Sequence, residues 1–329
     1  MVDLRLERDA LLLTLERERK DSARAEAAEA LCDLAFDAPL GLKAEFSTVM
    51  VRLIGDAQPE VRCAGLALSC EVLPAEEAGA LLVRHLGDKV ARVRLEAVGR
   101  LADLALPTSR GALAAALQDE LLAVRFEAAR GMVALKHPAG LNVLVEALDD
   151  PELRFRAAAA LARLGDRTVI PKLKKVFSGW LLPAFERTQL AGALAKLGDA
   201  VGVEHLFKRA GKRWSMDRAM ALELLGEVQA AGARDRLLEV LKDAQDASRG
   251  AAARGLGRLK DTSVEPALMA VLEERLVPDD VRLDVAEGLL GLGTKSARAR
   301  VEALRFEDET ARAELAAMLE ETAAEEGAP

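Results

Sequence analysis

The apolar positions of this chain keep a helical rhythm that is paced by arginine. An arginine opens ten successive segments, at Arg24, Arg62, Arg94, Arg125, Arg154, Arg187, Arg218, Arg249, Arg282 and Arg312, about every 32 residues. Three residues after each comes a small or apolar side chain, as at Ala97, Ala128 and Ala157. Seven residues after comes a large one, as at Leu101, Met132 and Leu161, with Ser69 the exception. Steps of three, four and seven place these residues on one face of a helix. A second amphipathic stretch completes each period, as in 139–148 and 234–241. Each period is therefore predicted to be a helical hairpin. The alternation that marks a strand is missing, so no sheet is expected.

Helix punctuation supports the same division. Asp150-Pro151-Glu152 reads as an N-cap, a first-turn proline and a first-turn acid. Leu164-Gly165-Asp166 and Leu197-Gly198-Asp199 read as a left-handed glycine ending one helix and an aspartate opening the next. A lone hairpin cannot bury its apolar face, so the units must stack. The prediction is an all-α, right-handed α-solenoid of about ten hairpins, one array over 1–319 followed by an acidic, disordered tail over 320–329. The runs that begin Asp150-Pro-Glu-Leu-Arg154 and Asp280-Val-Arg282-Leu-Asp resemble HEAT repeats, and more narrowly the short type found in phycobilisome-lyase-like proteins. The resemblance spans roughly 4–319. It implies a scaffold, adaptor or regulatory subunit; a minority of such proteins bind bilin chromophores or DNA, or are metal-dependent hydroxylases.

Composition narrows the choices. Helix formers dominate, and the formal net charge is −8, which disfavours a general nucleic-acid binder. No run approaches the length of an uncharged membrane span, and no signal-type segment is recognisable, so a cytoplasmic protein without membrane insertion is expected. The excess of Arg over Lys, 33 to 13, points to a GC-rich bacterial genome. Cys32, Cys63 and Cys70 have neither metal nor redox spacing. His85, His137 and His205 are the only histidines, and none is followed by glutamate, so the His-Glu dyads of HEAT-type hydroxylases are missing. Gly288-Leu-Leu-Gly-Leu-Gly293-Thr-Lys295 has the wrong spacing for a phosphate loop and follows a helix, so it reads as a helix end. No catalytic residue, metal or cofactor is expected.

An arginine in the first turn opposes the helix dipole and needs an acid near it. Asp56, Asp88, Asp119, Asp246 and their equivalents supply one, so an Asp–Arg ladder stitching adjacent units is expected. The pattern breaks in two consecutive turns, Ser178-Gly-Trp180-Leu-Leu-Pro183 and Gly211-Lys-Arg-Trp214-Ser215, which hold both tryptophans. Residues 150–215 carry 13 Lys/Arg against 6 Asp/Glu. Lys172, Lys174, Lys175, Trp180, Lys208, Arg209, Lys212, Arg213 and Trp214 form a candidate basic, aromatic patch for an acidic peptide, an anionic lipid surface or nucleic acid. Alternatively, each tryptophan plugs a gap in an irregular turn.

In proteins of this kind the second helix of each unit lines the concave groove. Positions one, two, five and nine after the arginine would face it. Leu95, Phe126 and Phe155 then form an apolar row flanked by Arg130, Arg156, Arg163 and Lys196. Such a row suits an acidic or amphipathic peptide; the alternative is that the phenylalanines turn inward and pack between units. The expected function is a non-enzymatic adaptor that holds a protein partner in the groove. A nucleic-acid binder using the basic middle region, and a bilin lyase subunit, are the competing readings.

Overall fold

A computed structural model describes residues 4–327. The chain divides into two compact units, Met1–Leu164 and Gly165–Pro329. Helices of the first unit are α1 (Leu4–Arg17), α2 (Asp21–Phe36), the short α3 (Leu40–Lys43), α4 (Ser47–Ile54), α5 (Pro59–Val72), α6 (Ala75–His85), α7 (Ala91–Leu104), α8 (Arg110–Ala116), α9 (Leu122–Ala134), α10 (Leu141–Ala147) and α11 (Arg154–Leu164). The second unit holds α12 (Ile170–Phe177), α13 (Ala184–Lys196), α14 (Ala200–Ala210), α15 (Arg218–Glu227), α16 (Ala233–Lys242), α17 (Arg249–Arg258), α18 (Glu265–Leu272), α19 (Asp279–Leu292), α20 (Lys295–Glu302) and α21 (Glu309–Gly327). No strand occurs among the described residues. The fold is an all-α solenoid of hairpins.

Within each unit the second helices pack on one another in sequence: α2, α5, α7, α9 and α11 in the first, α13, α15, α17, α19 and α21 in the second. Each also rests on the first helix of its hairpin, except that α20 and α21 both close against α19. The rhythm of the sequence explains the packing. The small residues three after each arginine (Ala97, Ala128, Ala157, Ala221, Ala252) are buried, and so are the large ones seven after (Leu101, Met132, Leu161, Leu225, Leu256). Ser69 is buried too, where its hydroxyl donates to the Leu66 carbonyl at 2.6 Å. Helix α21 continues to Gly327, past residue 320 where fraying is expected, because its Ala- and Glu-rich run is a strong helix former.

The left-handed helix ends fall where the sequence places them, with φ of 76° at Gly165, 80° at Gly198 and 70° at Gly293. Thr294 then caps α20 by accepting from the Ala297 amide, so the Gly288–Lys295 run is a helix end and a helix start. Glycine has a different task where α15 meets α17. A Cβ on Gly226 would lie 2.0 Å from the Gly255 carbonyl oxygen, so the backbones touch directly. Gly226→Ala must push two helices apart and is expected to cost about 1–3 kcal/mol or more. A urea denaturation series measures it; an unchanged midpoint would mean the crossing yields without strain.

The arginine ladder stitches neighbouring hairpins. Arg62 pairs with Asp88 at 3.0 Å and Arg94 with Asp119 at 2.8 Å, while Arg24 meets Asp56 and Arg218 meets Asp246. Each aspartate comes from the turn of the following hairpin. The same guanidinium also binds its own turn: Arg62, Arg94 and Arg125 donate to the carbonyls of Asp56, Asp88 and Asp119 at 3.0–3.1 Å. The aspartates in turn accept the amides two residues on, at Gln58, Val90 and Leu121. One planar fork therefore satisfies the carbonyls of one turn and the carboxylate of the next.

This wiring makes stability acid-sensitive. Asp119 is held below the ordinary carboxylate range, first by the Arg94 guanidinium, against burial, and then by the Leu121 amide. For Asp88 burial works in the opposite direction, but the Val90 amide and Arg62 outweigh it. A carboxyl whose folded pKa is depressed adds stability above its unfolded value, and loses it as pH falls through the folded value. The urea midpoint is therefore expected to hold between pH 7 and 5 and to fall progressively below about pH 4. A midpoint that rises on acidification would contradict the ladder.

Candidate functional site

Two places in the molecule gather the residues singled out by the sequence. The first lies in the Met1–Leu164 unit, on α7, α9 and α11. Leu95, Glu96, Gly99, Arg100, Asp103, Glu127, Arg130 and Arg156 line a shallow depression of about 290 Å³. Glu127 is its hub, a buried carboxylate that accepts from Arg130 and Arg156, each at 2.6 Å. Arg130 also reaches Asp103 at 2.7 Å and the Gly99 carbonyl at 3.1 Å. Burial opposes the charge of Arg130, yet hydrogen bonding to Glu127 raises its pKa.

The predicted apolar row is corrected here. Phe126 is 0% exposed and offers no surface to a partner. Its position, one after the arginine, lies on a flank of α9 that neighbouring second helices cover, and the Arg156 guanidinium lies over its ring at 4.9 Å. Leu95 is half-buried, and only Phe155, at 45%, stands out. Arg163 is exposed at the end of α11. Lys196 belongs to α13 of the other unit, where it pairs with Glu227 at 2.9 Å.

The second place is the pair of turns before α13 and α15. Trp180 is 87% exposed and Trp214 89%, so neither plugs a gap. Leu181, Phe185 and Met216 are exposed beside them in sequence. The sequence reading left these three outside the patch; for Leu181 the signal was the apolar run Trp180-Leu181-Leu182 inside a turn, where polar residues are the rule. What holds the second turn is Asp217, which is buried at the head of α15. It accepts from Thr188 in α13, from Ser215, and from Arg209 at 2.8 and 2.9 Å. Burial would raise its pKa, but these donors, Arg209 foremost, drive it well below the ordinary range. The first turn is held separately, by Arg187 of α13, which donates to the Gly179 and Leu182 carbonyls at 2.8 and 3.2 Å.

That wiring also corrects the patch. Arg209 is committed to Asp217, Lys174 pairs with Asp199 at 3.2 Å, and Arg213 pairs with Asp243 at 2.7 Å while remaining exposed. Lys175, Lys208 and Lys212 are exposed, and Lys172 is half-buried.

The groups that could do chemistry have structural occupations. His137 accepts from the Ala139 amide at 3.2 Å, and His85 Nδ1 lies 3.0 Å from the Leu81 carbonyl. His205 stands edge-on to Phe177 and 3.2 Å from the Thr188 hydroxyl; burial, then Arg209, lowers its pKa and keeps it neutral. Burial pushes the thiols up, to about 12 for Cys32 and about 11 for Cys63, away from the reactive thiolate. Among the described residues no cluster of His, Cys, Asp or Glu is arranged to hold a metal, and no helix is long and apolar enough to cross a membrane. A second depression, about 600 Å³, lies in the Gly165–Pro329 unit among Arg254, Arg258, Glu287, Met318 and Thr322. Its charges are largely consumed by pairs such as Arg254–Glu223 and Arg258–Glu223.

Comparison with known proteins agrees with the architecture. Nothing among curated proteins matches the sequence. Of solved structures, a complex of Kap95 with Nup1 aligns with a TM-score of 0.57 at 13% identity, covering 96% of this chain and 50% of that one. The CpcE–CpcF phycocyanin lyase of Nostoc sp. PCC7120 aligns with a TM-score of 0.46 at 20% identity, over 76% of this chain and 95% of that one. An engineered protein aligns with a TM-score of 0.41 at 22% identity, over 96% and 99%. The family profile for HEAT repeats matches residues 79–162, 111–179 and 203–290, which together make up more than half of the sequence. The chain belongs to the HEAT-repeat family.

Proposed function

We propose that this protein is a non-enzymatic adaptor that holds a segment of a partner protein across the second helices α7, α9 and α11. HEAT-repeat solenoids commonly serve as protein-interaction scaffolds, and that is the general class of this chain. The observation that carries the finer reading is the charged depression, to which α11 contributes Arg156, with Phe155 exposed on the same helix. Arg130 and Arg156 are pre-positioned by Glu127, so binding there would order little that is not already ordered. An exposed aromatic on a helix that also carries a fixed guanidinium matches an amphipathic segment with acidic residues. The half-buried thiols, their pKa pushed up by burial, and the structurally occupied histidines support a role without catalysis.

Affinity capture from the native host, read by mass spectrometry, tests this. Phe155→Ser with Arg163→Glu alters two exposed positions and should leave helicity and melting temperature unchanged. Captured partner is expected to fall by about tenfold or more. Equal capture by parent and variant would reject α7–α11 as the contact face.

A further inference from the structure

The two aromatic turns of the Gly165–Pro329 unit have no part in that adaptor surface, and their exposure calls for its own account. The geometry points to a peripheral membrane anchor: Trp180, Leu181, Trp214 and Met216 dip into the interfacial layer of an anionic bilayer, while Lys208 and Lys212 meet its headgroups.

Three observations favour a lipid surface. The first is shape. These four side chains are 73–101% exposed, so they protrude without walls around them. A peptide hot spot needs a desolvated pocket, whereas a bilayer interface deforms around a wedge. The second is residue type. Tryptophan favours the headgroup level, where its ring is apolar and its N–H can still be hydrated, and Leu181 and Met216 supply purely apolar tips. The third is charge. Within a chain of net −8, residues 165–215 carry 10 Lys/Arg against 4 Asp/Glu, and the exposed lysines sit in or just before the turns. Anionic lipid attracts such a patch within a Debye length, and the exposed Lys208 and Lys212 lie close in sequence to Trp214.

The patch is also confined and rigid. Asp217 fixes the Trp214 turn through Ser215, Arg209 of α14 and Thr188 of α13. Arg187 of α13 fixes the Trp180 turn by donating to the Gly179 and Leu182 carbonyls at 2.8 and 3.2 Å, so the anchor is ordered before any membrane arrives. The next turn, Asp243-Ala-Gln-Asp-Ala-Ser248, presents no large apolar side chain. A nucleic-acid platform would instead need a basic groove to track the backbone alongside the rings.

The chain has two tryptophans and no tyrosine, so intrinsic fluorescence reports on these two turns alone. The purified full chain is titrated with vesicles of phosphatidylcholine and of phosphatidylcholine with phosphatidylglycerol, and with poly-glutamate and a single-stranded oligonucleotide. A blue shift and co-sedimentation are expected with the anionic vesicles, at least about tenfold stronger than with neutral ones and weakened by salt. Trp180→Ser with Trp214→Ser, and separately Lys208→Glu with Lys212→Glu, should each cut sedimentation about tenfold while circular dichroism is unchanged. Absence of vesicle binding, equal binding to neutral vesicles, or binding that survives both variants would each overturn the assignment. So would a spectral shift with poly-glutamate or the oligonucleotide in place of vesicles. The Phe155→Ser, Arg163→Glu variant should sediment like the parent, so this inference and the adaptor reading fail separately; loss of vesicle binding there would place the lipid contact elsewhere and overturn the anchor.

Discussion

Arg218→Ala is expected to destabilise the protein by about 3–5 kcal/mol, far more than any exposed charge reversal. Arg218 and Asp246 are both buried, and their side chains form a direct ion pair. Arg218 also donates to the Ala210 carbonyl at 2.8 Å, and Asp246 accepts the Ser248 amide at 2.9 Å. Truncating the arginine leaves a largely buried carboxylate without its counter-charge and the Ala210 carbonyl without its guanidinium donor. The cost is that of leaving them unpaired and exceeds the net worth of the pair. A second signature follows from protonation. In the parent, burial would raise the Asp246 pKa, but Arg218 and the Ser248 amide depress it. Without the arginine the burial effect prevails, so the variant should lose less of its remaining stability on acidification than the parent does. Urea unfolding at pH 7 and pH 4 reads both effects. Arg234→Ala, at an exposed pair with Asp261, is the control and should stay within about 0.5 kcal/mol. If the two variants behave alike, the ladder does not stabilise the stack.

Phe126→Ala is expected to cost about 3–5 kcal/mol. The ring is fully buried in α9 and roofed by Arg156, so its removal leaves a cavity between packed helices and takes away a cation–π contact. Any loss of partner binding in this variant would therefore report unfolding of the unit and say nothing about the surface. Phe155→Ala, at a half-exposed neighbour, should change stability by under about 0.5 kcal/mol. Thermal melts of the two variants side by side check this. A mild Phe126 variant would show that α9 can collapse around the gap.

How far the sequence speaks is visible in single residues. Ala128 and Met132, three and seven after their arginine, were placed in the core by helical geometry, and both are buried. Gly165 and Gly198 were read as left-handed helix ends, and both have positive φ. The aspartates preceding all but Arg187 announced the ladder, and Arg187 instead binds the Gly179 and Leu182 carbonyls. The candidate site was legible only in part. Leu95, Arg130 and Arg156 do meet around one depression, but Phe126 dropped out beneath it.

The difference has a physical cause. Local spacing dictates which side of a helix is apolar and where it must stop, and the repeat dictates that hairpins stack; both are consequences of helix period and chain chemistry. Whether a residue on a helix flank meets solvent depends on the helices before and after it, which no single period encodes. Hence Phe126 lies under Arg156 while Phe155, one hairpin later, is open. The same holds for charge. Counting basic residues gave a patch, but only folding decided that Arg209 is consumed by Asp217 while Lys208 and Lys212 remain at the surface beside two uncovered tryptophans.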